Sequence, residues 1–126
     1  MYDVRIINDE AVLFENGIEK MNLEYIRENG TIQYNFSDGS SIYINSGNTI
    51  HWYDSDGNGH RDGDIPAYIT IGGYLSYYKH GVWHRENGPA VIRSNGNVEY
   101  YLDDIEYTKK EFINELNSNY GCIYHV

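Results

Sequence analysis

The fold is decided by a short stretch that occurs twice, first as Pro66-Ala67-Tyr68-Ile69 and again, 23 residues later, as Pro89-Ala90-Val91-Ile92. The two copies also share a glycine, an aromatic pair and a leading His-Arg pair: Gly73 and Gly96, Tyr77-Tyr78 and Tyr100-Tyr101, His60-Arg61 and His84-Arg85. Self-similarity at a period of this size is typical of proteins built from stacked supersecondary units. The sequence therefore predicts a repeat architecture.

Short runs of alternating apolar residues, separated by turn dipeptides, indicate the secondary structure of these units. The dipeptides are Asn-Gly or Asp-Gly: Asn16-Gly17, Asn29-Gly30, Asp38-Gly39, Asp56-Gly57, Asn87-Gly88 and Asn95-Gly96. Such pairs tolerate the positive φ angles of tight hairpin turns, and a period of two with many β-branched and aromatic residues is typical of strands. We therefore expect a mainly all-β protein, an antiparallel β-hairpin meander.

One stretch near the C-terminus departs from the β pattern. Thr108 can cap a helix, Glu111 stands at the capping-box position, and Phe112, Ile113 and Leu116 share one face. We expect a single domain with three parts: an N-terminal strand cap over 1–30 with strands near 2–7 and 11–15, hairpin repeats over 30–107, and the helix with one further strand over 108–126.

Composition and charge restrict the classes of partner. The chain has 126 residues, a single cysteine and a formal net charge of -10 at pH 7. No apolar run is long enough to span a membrane, the first residues lack a secretory-signal pattern, and a lone cysteine fits a reducing compartment, so a cytoplasmic location is expected. So acidic a surface repels nucleic acid and anionic membranes, and it attracts basic protein surfaces.

The second copy carries a motif, His84-Arg85-Glu86-Asn87-Gly88-Pro89-Ala90. It resembles the MORN-like hairpin repeats of bacteriophages and giant viruses, and the resemblance covers residues 57–112, although the first copy has one extra residue. The resemblance implies an all-β repeat fold, a viral or mobile-element origin and hence the host cell cytoplasm. It implies scaffold positions rather than a catalytic site: His60, Arg61, Pro66, His84, Arg85, Gly88 and Pro89. Each arginine is expected to pack on the neighbouring aromatic pair and to bond the turn carbonyls.

An acidic loop is the strongest candidate for metal chemistry. Its oxygen-bearing side chains have the order of the first half of a calcium loop: Asp54, Asp56, Asn58 and Asp62. Ile65, however, occupies the position where a bidentate Glu closes such a loop, and the flanks read as strands. The sequence therefore favours a hairpin tip rich in Asp, Asn and Gly over a calcium loop, and we expect no cofactor.

Catalysis is not expected. The triplet His60-Arg61-Asp62 matches a kinase catalytic loop, but no glycine-rich phosphate loop accompanies it. Five histidines follow the repeat rather than a zinc-ligand spacing: His51, His60, His80, His84 and His125. No nucleophile elbow is present.

The remaining candidate is a protein-binding surface, because tyrosine-rich patches supply anchors for protein partners. The predicted partner-binding residues are Glu15, Glu19, Glu24, Glu28, Asp38, Tyr43, Tyr53, Asp54 and Asp56. These residues predict a non-enzymatic acidic protein-binding module. With the viral origin that the resemblance implies, its expected target is a basic nucleic-acid-binding defence protein such as a CRISPR effector, which the module would inhibit by mimicking nucleic acid.

Two other function classes stay open. The first is a structural, assembly or antitoxin-like module that uses the tyrosine-rich repeat face, and unpaired end strands leave pairing between copies open. The second is a calcium-binding protein or a small hydrolase.

Overall fold

The computed structural model describes residues 2–7, 10–20, 25–26, 31–45, 47, 49–70 and 72–120. These described residues form fourteen strands and one helix: β1 Tyr2–Ile7, β2 Glu10–Glu15, β3 Ile18–Lys20, β4 Tyr25–Ile26, β5 Ile32–Asn35, β6 Ser41–Ile44, β7 Ile50–Tyr53, β8 Tyr68–Ile69, β9 Leu75–Ser76, β10 Tyr78–Lys79, β11 Val82–Trp83, β12 Val91–Ile92, β13 Val98–Leu102, β14 Ile105–Tyr107 and α1 Lys109–Asn119. The strand predicted after the helix lies outside the described residues.

The strands form antiparallel sheets in which neighbours in space follow the order of the chain. The largest sheet has nine strands in the order β14-β13-β12-β9-β8-β7-β6-β5-β4. The hairpin β10-β11 leaves this sheet between β9 and β12, and β1, β2 and β3 form a sheet of their own. The prediction of an antiparallel β-hairpin meander with one short C-terminal helix is confirmed.

Four of the hairpin turns are built in the same way. In each turn the N–H of the first residue donates to the carbonyl of the residue four positions later. The carbonyl of the same first residue accepts the N–H of a glycine three positions later: Phe36 and Gly39, Asp54 and Gly57, Thr70 and Gly73, Arg93 and Gly96. All four glycines have φ between 83° and 95°, a left-handed conformation that glycine adopts at no steric cost.

The Asn87-Gly88 dipeptide does not form such a turn, because Gly88 is absent from the residues with positive φ. Glycine serves a different purpose here. A Cβ at Gly88 would lie 3.1 Å from Nη1 of Arg85, so the missing side chain makes room for the guanidinium.

The sequence repeat is also a repeat of backbone hydrogen bonds. Before the first His-Arg pair, the N–H of Trp52 donates to the Ala67 carbonyl at 2.8 Å, and the N–H of His60 donates to the Trp52 carbonyl at 3.0 Å. Before the second pair, Tyr77 takes the place of Trp52: its N–H donates to the Ala90 carbonyl at 2.7 Å, and its carbonyl accepts the N–H of His84 at 3.1 Å. The backbone around the two His-Arg pairs therefore folds alike. It does so even though the first pair has one more residue between the aromatic residue and the histidine, and one more between the arginine and the proline.

One buried cluster of the core lies on one face of the large sheet. Alternate residues of β6 and β7 are buried there, as their pattern predicts, and Ala67 joins them: Ile42, Ile44, Ile50, Trp52 and Ala67. At the other end, Phe112 and Leu116 of α1 are fully buried against Leu102 of β13. The predicted capping box is present, because Thr108 and Glu111 each accept the other's backbone N–H. Among the described residues, no helix is long and apolar enough to cross a membrane.

Candidate functional site

The arginines of the two His-Arg pairs lie over aromatic rings of the core face. The guanidinium carbon of Arg61 is 3.6 Å from the ring centroid of Trp52, and that of Arg85 is 3.9 Å from that of Tyr77. The Nη1 group of each arginine also donates, at 3.2 Å, to the carbonyl of the next proline in the chain: Arg61 to Pro66 and Arg85 to Pro89. Because both arginines make the same contacts, the geometry gives them a structural role.

A third aromatic ring on this face, that of Tyr100, is covered differently. Tyr100 has the place in its strand that Trp52 and Tyr77 have in theirs, but the ring that covers it is Phe112 of α1, at a centroid distance of 4.9 Å. At this end of the sheet the helix therefore covers the ring that a third His-Arg pair would cover, as a terminal cap does in a repeat array.

The histidines of the pairs connect one copy to the next. Nδ1 of His60 accepts the backbone N–H of His80 at 3.1 Å, and Nδ1 of His84 accepts that of Asp103 at 3.0 Å. Both donors are at the tips of the following hairpins. Each Nε2 is within hydrogen-bond distance of the acid two residues on, Asp62 at 2.8 Å and Glu86 at 3.1 Å. With both ring nitrogens engaged, neither histidine is placed to act as a general base.

Asp54 is enclosed in its own turn. Its Oδ1 accepts the backbone N–H groups of Asp56 and Asn58 at 3.0 and 2.9 Å, and its Oδ2 lies 2.7 Å from Nδ1 of His80. The bond with His80, followed by the backbone bonds, holds the pKa of Asp54 below its ordinary value. The residue is 9% exposed, so this carboxylate stabilises the hairpin tip.

The other candidate calcium ligands point to the same conclusion. Asp56 and Asn58 are exposed at the tip, and Asp62 lies 2.8 Å from His60 with a side chain that is 98% exposed. No group of three or more His, Cys, Asp or Glu side chains in the described part of the chain could hold a metal ion. The calcium loop stays a prediction from sequence, and an ion would have to displace the bonds of Asp54.

The opposite face of the sheet carries a row of aromatic side chains. Tyr43, His51 and Tyr68 stand directly opposite one another on β6, β7 and β8. The rings of His51 and Tyr68 are 4.2 Å apart, those of Tyr43 and Tyr53 are 5.2 Å apart, and those of Tyr68 and Tyr74 are 5.5 Å apart. All five residues are half-buried. We call them the aromatic row.

Burial favours the neutral form of two members of the aromatic row, His51 and Tyr53. Burial lowers the pKa of His51 and raises the pKa of Tyr53. Burial also raises the pKa of Tyr78, next to the row. The neutral forms of the His51 imidazole and of the Tyr53 and Tyr78 phenols are therefore favoured.

Two clefts adjoin the row. The smaller, of about 320 Å³, is lined mainly by aromatic rings, those of His51, Trp52, Tyr53, Tyr68, Tyr74 and Tyr78. The larger, of about 560 Å³, is lined by several polar side chains that include Asp38, Tyr53, Asp54 and Asp62. Tyr53 lies between the clefts, so the aromatic row is continuous with an acidic border.

No family model, curated protein or solved structure matches this chain. The resemblance to MORN-like repeat proteins stays a prediction from sequence. Function has to be argued from the geometry of the described residues.

The structure brings together only some of the predicted partner-binding residues. Tyr43 and Tyr53 are ring neighbours, and Asp38 and Asp56 are exposed on adjacent hairpin tips. Asp54 is largely enclosed, and Glu19 is exposed on the separate sheet. The side chain of Glu15 lies outside what the structure describes, as do the whole of Glu24 and Glu28.

Three members of the row are not among the predicted partner-binding residues: His51, Tyr68 and Tyr74. The strand alternation contained the signal, because Tyr43 and His51 occupy the positions between core residues of their strands. Tyr101, on β13, is only 9% exposed. The ring of Trp83 covers it at 4.9 Å, and its hydroxyl donates to Glu106 at 2.8 Å.

Proposed function

We propose that this protein is a non-enzymatic binding module whose aromatic row, with the acidic hairpin tips beside it, docks on a basic surface of another protein. The observation that carries the proposal is the row itself, five half-buried aromatic residues in contact on one sheet face. Rigid aromatic side chains at the centre of a patch, surrounded by polar residues, are the usual energetic anchors of protein interfaces.

The charge of the molecule supports a basic partner. The net charge is -10, and Asp38 and Asp56 are exposed at the tips next to the row. Such a field accelerates encounter with a positive surface and disfavours a negative one. A protein whose basic groove normally holds nucleic acid has this surface, and in that case the module would act as an inhibitor that competes with nucleic acid.

Affinity capture from a nuclease-treated host lysate tests this proposal. The immobilised protein should retain basic nucleic-acid-binding proteins, and duplex DNA or moderate salt should release them. The variant Asp56→Lys should capture less, and so should Tyr43→Ala. The control Glu115→Lys changes the charge equally but lies on α1, which packs on the core face. Equal capture by all four proteins would contradict the proposal.

A second candidate is an assembly module, and one observation favours it. Ile105 on the terminal strand β14 is 58% exposed, and an edge strand with an exposed apolar residue can pair with another copy. In light scattering with size exclusion, Ile105→Lys should then turn a dimer into a monomer. A monomeric wild-type protein would remove this candidate.

A further inference from the structure

The aromatic cleft of about 320 Å³ next to the row has the properties of a ligand site. Four tyrosines, one histidine and one tryptophan line it: Tyr53, Tyr68, Tyr74, Tyr78, His51 and Trp52. Its volume is at the lower end of the range for ligand pockets, about 300–1,000 Å³. It is therefore large enough for a small functional group rather than for a whole cofactor.

The rings of the cleft meet at steep angles. The planes of His51 and Tyr68 are inclined at 61°, and those of Tyr68 and Tyr74 at 77°. Rings at these angles contact one another face to edge. Together with the other lining side chains they form an aromatic wall around the cleft.

The charge around the cleft selects a cation. The lining residues include no Asp, Glu, Lys or Arg side chain, and burial favours the neutral forms of His51, Tyr53 and Tyr78. The net charge of -10 repels an anion and attracts a cation to this electron-rich surface. The rings then supply the local attraction, through their quadrupoles.

The missing carboxylates also decide which cation fits. A primary ammonium group is strongly hydrated and needs three acceptors when it is buried. A quaternary ammonium group has no N–H to satisfy, so an aromatic wall is sufficient. The chain's own cations already lie over aromatic rings of this sheet, since Arg93 is 5.9 Å from the centroid of Tyr74 and is paired with Glu99.

We propose that the aromatic cleft binds a quaternary ammonium group, and that the group is the trimethylated lysine side chain of a protein partner. The choice of a protein as the source rests on the function proposed above. The chemistry of the cleft does not, so the two can be tested separately.

The first test uses the wild-type protein with choline and with 3,3-dimethyl-1-butanol, which has the same shape but no charge. Binding is followed by tryptophan fluorescence or by calorimetry. Choline should bind at millimolar concentrations, and the neutral compound about tenfold more weakly. Equal binding of both compounds, or no binding of choline, overturns the proposal without any variant.

Variants locate the site. Tyr68→Leu should abolish choline binding, whereas Tyr68→Phe keeps the ring and should retain it within about twofold. Tyr107→Leu is a matched control, because Tyr107 packs near α1 on the other face. If Tyr68→Leu has lost the wild-type circular dichroism spectrum, the comparison of the two compounds on the wild-type protein still decides.

A pair of lysine peptides tests the source of the group. A peptide with one trimethylated lysine should bind more tightly than the same peptide with unmodified lysine. If choline binds and the two peptides are indistinguishable, the cleft serves a free ligand and the proposed source is wrong. Loss of partner capture in Tyr43→Ala, measured in parallel, would leave the docking function standing in that case.

Discussion

Removal of the Arg85 side chain tests the structural role of the His-Arg pairs. Arg85 lies over Tyr77 at 3.9 Å, donates to the Pro89 carbonyl at 3.2 Å and makes a two-bond ion pair with Asp64 at 2.7 and 3.2 Å. Its side chain is only 18% exposed. Arg85→Ala removes all of these contacts and leaves a space beside Gly88.

The expected loss follows from these contacts. A partly buried cation–π contact contributes about 1 kcal/mol, the bond to the proline carbonyl about 1 kcal/mol, and the solvent-facing ion pair about 0.5 kcal/mol. The free energy of unfolding should therefore fall by about 2–3 kcal/mol. Arg85→Lys keeps the charge but loses the planar fork, so it should cost about half as much.

Urea unfolding followed by tryptophan fluorescence measures these values. The control is Lys79→Ala, because Lys79 is exposed on the nearby hairpin, and it should change the unfolding free energy by less than about 0.5 kcal/mol. High salt should weaken only the Asp64 contribution. An Arg85→Ala variant as stable as the Lys79→Ala control would refute the structural role.

Three further predictions concern single groups. The pKa of Asp54 is held below its ordinary value of 3.8, first by His80 and then by backbone bonds. Ionised Asp54 therefore stabilises the fold above pH 3.8, and this contribution is lost as the pH falls further. Asp54→Asn should make the free energy of unfolding less dependent on pH in this acid range, and an unchanged dependence would contradict the assignment. Burial, and then Asp103, raises the pKa of Tyr120 from 10.0 to about 12. The stabilising contribution of Tyr120 is therefore complete below pH 10 and lost between pH 10 and 12. Tyr120→Phe should reduce the change in the urea midpoint across that range. A change in the variant as large as in the wild-type protein would count against the assignment. Thr108→Ala should cost about 1 kcal/mol in urea unfolding while Thr108→Ser costs a few tenths, and equal losses would exclude the capping box as the cause.

Much of the fold could be predicted because its signals are local. Alternation predicts that Ile42 shares a face with Ile44, and Ile50 with Trp52; the structure buries all four in one cluster. The capping residues of α1 are three positions apart in sequence, and each turn glycine is fixed by the geometry of its own hairpin. The duplicated motif likewise predicts that each arginine packs on an aromatic ring and bonds a turn carbonyl, and Arg61 and Arg85 make these contacts.

The parts that escaped prediction depend on distant residues. Asp54 looked like a calcium ligand because its partner His80 is 26 positions away. Arg85 finds Asp64 at a separation of 21 positions. Asn87-Gly88 has the sequence of a hairpin turn, but its glycine is required by the guanidinium that packs against it. Such pairings arise from the stacking of copies, which a single copy of the motif does not encode.

Hydroxyl-radical footprinting of the protein alone and bound to its captured partner tests the central claim most directly. The method reports the solvent exposure of individual tyrosine side chains. If the aromatic row is the docking surface, Tyr43, Tyr53 and Tyr68 should become protected in the complex, while Tyr107 near α1 keeps its rate of modification. Protection of Tyr107 with an unchanged aromatic row would contradict the account.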